Sequence, residues 1–162
     1  YALLNAALEK QPDQPDLLYE TALAAEKLGE IATMERRLRR LIEIKPDSSQ
    51  AYNALGYSLA DRNMQLPEAA GLIDKALALS PGDPYILDSK AWVLFRQGKA
   101  AEALELLKRA AAQRPDPEIA AHMGEVLWSL GRRDEALSVW QSAVKRHPDN
   151  EALSATIKRF TP

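Results

Sequence analysis

The sequence predicts an all-α fold of about ten helices, stacked as antiparallel pairs in a solenoid. Two observations carry this. Pro12, Pro46, Pro81, Pro115 and Pro148 recur at spacings of 34, 35, 34 and 33 residues, and a fixed period near 34 marks a helix–turn–helix array. Between the prolines, small and apolar residues return at helical spacing, with turn residues midway. Such an array is a surface for holding other proteins rather than a pocket for chemistry.

Composition narrows the classes further. The 162 residues are 46% hydrophobic and 27% charged, ordinary for a folded chain. The net charge of −2 lacks the basic excess that draws proteins onto nucleic acid. No apolar run approaches the ~20 residues of a membrane helix, so direct insertion is not expected. Cysteine is absent, which excludes disulfides, thiolate metal sites and a thiol nucleophile within these residues.

Taken in order, residues 1–12 read as the second helix of a truncated repeat. The chain opens on Tyr1-Ala2-Leu3-Leu4 inside a helical pattern and is read as a piece of a longer protein. This edge is expected to expose apolar surface and to offer a route to self-association. Residues 15–48 form a first full repeat. Residues 49–83 follow, with Tyr52, Leu55, Gly56, Leu59, Ala69, Ile73 and Ala76 in the buried pattern. Their turn, Asn63-Met64-Gln65-Leu66, has one extra residue and no glycine, so Asn63 is expected to take the left-handed role. Residues 84–116 repeat the plan with Ala91, Leu94, Gly98, Ala103, Leu107 and Ala110.

Residues 117–150 are the clearest copy. Asp116 is placed to cap the first helix, Pro117 to start it and Gly131 to end it. The second helix should run from about Arg133 to His147, whose ring faces the negative end of the helix dipole. Gly124, Ala136 and Ala143 present no bulk, so the helices can approach closely, with Trp140 filling the gap. Residues 151–162 read as a capping helix. Leu153, Ile157 and Phe160 share its inner face, while Glu151, Ser154, Lys158 and Arg159 should face away.

These residues together resemble the tetratricopeptide repeat (TPR) family along essentially the whole chain. The resemblance implies a right-handed superhelix with the first helix of each pair along a concave groove. It also singles out Met34 and Leu41, which stand where the family prefers alanine, so the first repeat should have wider helix spacing or a different tilt. The groove positions it implies are Tyr19, Leu23 and Glu26, then Asn53 and Tyr57. The third copy adds Tyr85, Asp88, Trp92, Phe95 and Arg96, and the fourth His122, Glu125 and Trp128. Aromatics supply contact area at low entropic cost and dominate binding hot spots. Tyr57 and Trp92 are read as binding residues. For Phe95 and Trp128, late in their helices, packing between helices stands equally open. The expected ligand is an extended or helical segment of a partner protein.

Other sites are discounted. Chaperone-binding members of the family clamp a terminal carboxylate with a lysine and an asparagine one turn apart. The matching pairs here are Tyr19/Leu23, Asn53/Tyr57 and Asp88/Trp92, which do not fit. His122 and Glu125 lie one turn apart, but two ligands do not make a zinc site, and they are read as groove residues lined by water. The Arg36-Arg37-Leu38-Arg39-Arg40 run is read as a solvated helix face, with Glu35 to Arg39 and Arg39 to Glu43 at favourable spacing, rather than as an anion site. No nucleophile elbow, phosphate loop or paired histidines are present, so no enzyme and no cofactor are expected.

Three stretches are more specific: Ala51 to Arg62, Leu87-Asp88-Ser89 with Ala91-Trp92-Val93, and Pro115 to Trp128. They resemble the C-terminal part of long multi-TPR lipoproteins in the envelope of Gram-negative bacteria, over about residues 50–160. That resemblance implies the periplasmic face of the outer membrane. It also implies a non-catalytic adaptor for a carboxyl-terminal processing protease or its envelope substrates, such as cell-wall hydrolases. The rival expectations are a self-assembly module and the non-catalytic arm of a larger enzyme.

Overall fold

The first helix of each pair, and the last helix, begin on a capping side chain. The computed structural model describes residues 1–162 as ten helices. They are α1 (Ala2–Lys10), α2 (Pro15–Lys27), α3 (Ile31–Ile44), α4 (Ser49–Asp61), α5 (Leu66–Leu79), α6 (Pro84–Arg96), α7 (Ala100–Gln113), α8 (Pro117–Ser129), α9 (Arg133–Arg146) and α10 (Glu151–Phe160). Gln14, Ser48, Asp83, Asp116 and Asn150 each accept a backbone N–H of the first turn through the side chain, capping α2, α4, α6, α8 and α10. At the turn after α8, Gly131 has φ +78°. There Arg132 N–H donates to Leu127 O while Gly131 N–H donates to Trp128 O, the paired bonds of a left-handed C-cap. The turn after α4 makes the same pair with Asn63, at φ 53°, in the glycine's place. The extra residue there forces a second left-handed position at Gln65, φ 46°, which the sequence reading did not foresee.

The pairs α2/α3, α4/α5, α6/α7 and α8/α9 make the tightest contacts. Successive first helices also meet: α4 packs on α6, α6 on α8, and α10 continues the row against α8. Second helices show no comparable approach to one another, so the stack closes on the first-helix side and that side is the inner face. The row begins only at α4. α2 makes no comparable approach to α4, and beside it Met34 and Leu41 lie buried where later repeats carry alanine. Leu41 packs with Leu18 and Ala51 in a small cluster separate from the main core. At the other end, α1 buries no residue and Leu3 is 87% exposed.

Close approach within a pair is most acute in the fourth repeat. A Cβ built on Gly124 would collide with the Trp140 indole, whose Nε1–H donates to Ala121 O at 3.3 Å. Gly56 is similarly placed, with Ile73 Cδ1 2.8 Å from where its Cβ would be. Trp140 then stacks against Trp128 at 5.9 Å and Phe160 at 5.6 Å between ring centroids, which docks α10 as a lid on the core.

The arginine run of α3 is paired rather than merely solvated. Arg39 bridges Glu35 and Glu68 of α5, Arg40 holds Asp13 and Glu43, and Arg37 donates to Thr21 O and Asn5 Oδ1. The expected Arg39–Glu43 pair is corrected: three residues, not four, separate Glu43 from the arginine it meets. Arg159 is a second correction. It turns inward to Glu125 at 2.7 Å instead of facing away, because α10 packs across the end of α8.

Two glycines should respond oppositely to alanine. Gly124→Ala forces the Trp140 ring to move and should cost ~1–3 kcal/mol. Gly71→Ala, with nothing within 4 Å of its would-be Cβ on the exposed face of α5, should stabilise by about 0.5–1 kcal/mol. Urea unfolding followed by circular dichroism distinguishes them, and a Gly124→Ala variant as stable as wild type or more so would refute the tight contact.

Candidate partner-binding groove

The inner row of helices brings residues with shared spacing to one place. Tyr57 and Asp61 lie one turn apart on α4, Asp88, Trp92 and Arg96 on α6, and Glu118, His122 and Glu125 on α8. With Ala152, Thr156 and Arg159 of α10 they surround a cleft of about 420 Å³, Asp88 lying beneath. Five of the sequence-derived site residues line it directly: Tyr57, Trp92, Arg96, His122 and Glu125.

The floor is a hydrogen-bonded stack rather than a set of wet side chains. His122 Nδ1 lies 2.8 Å from Asp88 Oδ1 and 3.0 Å from Oδ2, and its Nε2 lies 3.0 Å from the Tyr57 hydroxyl. The imidazole stacks on Trp92 at 4.2 Å. Trp92 Nε1–H donates to Asp61 Oδ1 at 3.0 Å, and the Arg96 guanidinium covers the indole at 5.1 Å while donating to Asp61 O. Trp92 is only 2% exposed. The reading of Trp92 as a surface anchor is therefore corrected: its faces and its one polar atom are all engaged. His122 and Glu125 are corrected likewise from water-lined positions to packed, partnered ones.

Seven expected groove residues stand apart. Tyr19 lines a separate small cleft with Lys45 and Ser48, because α2 does not join the inner row. Asn53, also on α4, is absent from the cleft wall, and its Oδ1 is buried without a partner. Tyr85 sits at the start of α6 beneath Arg114. Phe95 packs against Trp92 with its ring tilted by 38°, and Trp128 is taken up between Trp140, Phe160 and Arg133. Leu23 and Glu26 also fall outside the cleft. Conversely, Asp61, Glu118 and Arg159 were missed. Asp61 is four residues after Tyr57 and Glu118 four before His122, so same-face spacing would have found both. Arg159 required knowing how α10 docks.

The cleft wall carries three carboxylates and two guanidiniums, and can therefore pair with either charge and with peptide groups. No group of three or more His, Cys, Asp or Glu side chains is arranged to hold a metal ion, and no helix is long and apolar enough to cross a membrane. Burial pushes the Tyr57 hydroxyl well up, with Asp61 and Asp88 adding to the effect, so it remains a neutral phenol. For His122, burial lowers the pKa, but the Asp88 charge and hydrogen bond, with Asp61 and Glu125, outweigh it and raise it overall.

The sign of the pH response follows. A histidine whose folded pKa lies above its unfolded value of ~6.5 stabilises fully below that value. The contribution is lost as pH rises through the raised folded pKa. Urea midpoints should thus fall as pH climbs above about 6.5, and His122→Gln should flatten that dependence. An identical profile in the variant would mean that His122 carries no net proton preference in the fold.

Residues 35–84, 63–126 and 94–159 match family profiles described as tetratricopeptide repeat. Among curated proteins, the chain is 46% identical over 113 residues to the TPR repeat-containing protein PA4667 of Pseudomonas aeruginosa, covering 70% of this chain. It is 35% identical over 115 residues to cellulose synthase operon protein C of Pseudomonas fluorescens, covering 69% of this chain. The chain spans 19% and 9% of the length of those relatives. In structure it resembles TTC0263, a thermophilic TPR protein of Thermus thermophilus, with a TM-score of 0.84 and 26% identity over 95% of this chain and 84% of that one. YrrB, described as a TPR protein with an unusual peptide-binding site, shares the fold at a TM-score of 0.64 and 20% identity, over 96% of this chain and 82% of that one. The chain belongs to the tetratricopeptide repeat family, whose helix-pair solenoids are protein-interaction scaffolds.

Proposed function

We propose that this chain is a non-catalytic scaffold holding a segment of a partner protein in the cleft between α4, α6, α8 and α10. We further propose that it works within a longer cell-envelope protein, at the periplasmic face of the outer membrane, as an adaptor for a carboxyl-terminal processing protease or that protease's substrates. The observation that carries the first reading is the convergence of four helices on one cleft of about 420 Å³ bearing both signs of charge. A rigid floor of this kind orients side chains before a ligand arrives, which lowers the entropic cost of binding.

The finer reading is supported by where the specific stretches fall. Tyr57 and Asp61 lie in the first, Asp88 and Trp92 in the second, and Glu118, His122 and Glu125 in the third. Residues that carry the resemblance to envelope adaptors are thus the residues that build the cleft. The relative from Pseudomonas aeruginosa accords with a Gram-negative setting.

Truncating Trp92 would damage the core, since loss of a buried Trp typically costs ~3–5 kcal/mol. Glu118→Ala with Arg159→Ala spares the aromatic core, because both side chains are exposed in the cleft, and its urea midpoint is compared with that of Arg159→Ala alone because Arg159 also pairs with the buried Glu125. The wild type should recover a carboxyl-terminal processing protease or cell-wall hydrolases from a bacterial envelope extract, read by mass spectrometry. The double variant should bind the recovered partner about tenfold or more weakly, ~1.4 kcal/mol. Equal recovery by both proteins would remove the cleft from the interaction. The exposed Leu3 favours one alternative, self-association through α1. In that case sedimentation should show a mass that rises with concentration for the wild type and stays monomeric for Leu3→Glu.

A further inference from the structure

A second cleft, away from the inner face, lies where α7, α8 and α9 meet. Its volume is about 280 Å³, just under the ~300 Å³ at which small-molecule pockets begin, so it suits one or two side chains rather than a cofactor. Ala120, Met123, Val139 and Ala143 contribute apolar wall, and Arg146 and His147 stand among its polar lining.

The internal repeat explains why the cleft exists. Counting from the first residue of each first helix, the fourth position is Leu18 in α2, Tyr52 in α4, Leu87 in α6 and Ala120 in α8. Leu18 and Leu87 are buried, and Tyr52 packs on the core while its hydroxyl donates to Pro46 O at 3.0 Å. Only the fourth repeat has a methyl group there. The alanine it would cover shows the consequence. Ala76 and Ala110, at the eleventh position of α5 and α7, are 0% exposed, whereas Ala143, their counterpart in α9, is 8% exposed.

We infer that this slot is a second docking site, taking a leucine or tyrosine side chain from a partner protein segment that carries Asp or Glu beside it. The occupant's chemistry is read from the chain itself, since Leu and Tyr are what fill the same place in the other three repeats. The acidic neighbour follows from the charges. Arg146 is a cation that makes no ion pair within the chain, and the His147 ring beside it adds a polar group. The one carboxylate in the lining, Asp116, is engaged in capping α8, accepting from Glu118 N–H and Ile119 N–H. The inference rests on the scaffold reading and adds a contact the inner cleft does not supply.

The probe is a random twelve-residue peptide library displayed on phage, selected on the wild-type chain and counter-selected on Ala120→Leu. The substitution restores the side chain found in two other repeats, so the plugged protein should unfold at the same or higher urea concentration. Peptides lost on the plugged protein should share Leu or Tyr beside Asp or Glu. Resynthesised, they should bind Ala120→Leu and Arg146→Glu at least tenfold more weakly than wild type and be unaffected by Glu118→Ala/Arg159→Ala. Failure to find any peptide sensitive to Ala120→Leu, or selection of basic peptides, would overturn the inference and leave the inner cleft untouched. Peptides sensitive only to the Glu118/Arg159 variant would likewise assign all docking to the inner cleft. If the wild type dimerises and Ala120→Leu abolishes the dimer, the occupant is a second copy and the assignment to a foreign partner falls.

Discussion

The structure depends on how closely the two helices of a pair can come together, and a small residue at one position governs that distance. At the eighth residue of each first helix the chain has Ala22, Gly56, Ala91 and Gly124 in turn, all buried. Where that residue is glycine, the second helix brings a large side chain directly against backbone: Ile73 at Gly56 and Trp140 at Gly124. Dispersion falls steeply with separation, so a gap of even half an ångström forfeits much of what these side chains gain by burial. The small position is therefore a geometric requirement from which the rest of each repeat follows.

From it the inner face is assembled. Close pairing sets the thickness of each repeat, and stacking repeats brings α4, α6 and α8 side by side. Polar groups on their facing surfaces are then desolvated and must find partners. Tyr57, Asp88 and His122, one from each of three helices, satisfy one another, and Trp92 spends its N–H on Asp61 of the neighbouring repeat. In a solenoid each repeat contacts only its neighbours, so a bond from α4 to α8 is unusual in reaching across two interfaces. It ties the register of three repeats to a single arrangement of charge, which is a sound basis for a recognition surface. The surface ion pairs along α3 and α5 add little by comparison, since exposed pairs are worth ~0–1 kcal/mol.

Much of this was legible in the sequence because it is local. Proline period, capping residues and small positions are properties of short windows, and they located the ten helices, the left-handed Asn63 and the Gly124–Trp140 contact. Gln65 was less accessible, since its conformation results from fitting one extra residue between two fixed helix ends. The site was legible only in part. Same-helix spacing predicts which residues share a face, and five of the expected residues do line the cleft. It does not predict how far a helix is rotated, and a rotation of a few tens of degrees decides whether Trp92 faces a ligand or lies against His122. Trp128 is the same case: Trp140 and Phe160 are 12 and 32 residues away in sequence, and their rings claim it.

The fourth repeat shows how one residue shared by packing and binding can separate the two roles. An array of identical repeats would bury every inter-repeat seam equally and present one continuous groove. Here the fourth repeat keeps the glycine that admits Trp140 but gives up the leucine or tyrosine that closes the seam behind it. The pair remains tight because Gly124 and Ala120, one turn apart on the same face of α8, meet different parts of α9: Gly124 receives Trp140, while the space beside Ala120 opens toward Ala143. Stability is thus carried at Gly124, where α9 comes closest, while one turn earlier the seam between α7, α8 and α9 is left with room. With α10 docked by the aromatic cluster on one side and the opened seam on the other, α8 contributes to both clefts. Its own caps at Asp116 and Gly131 hold it between them.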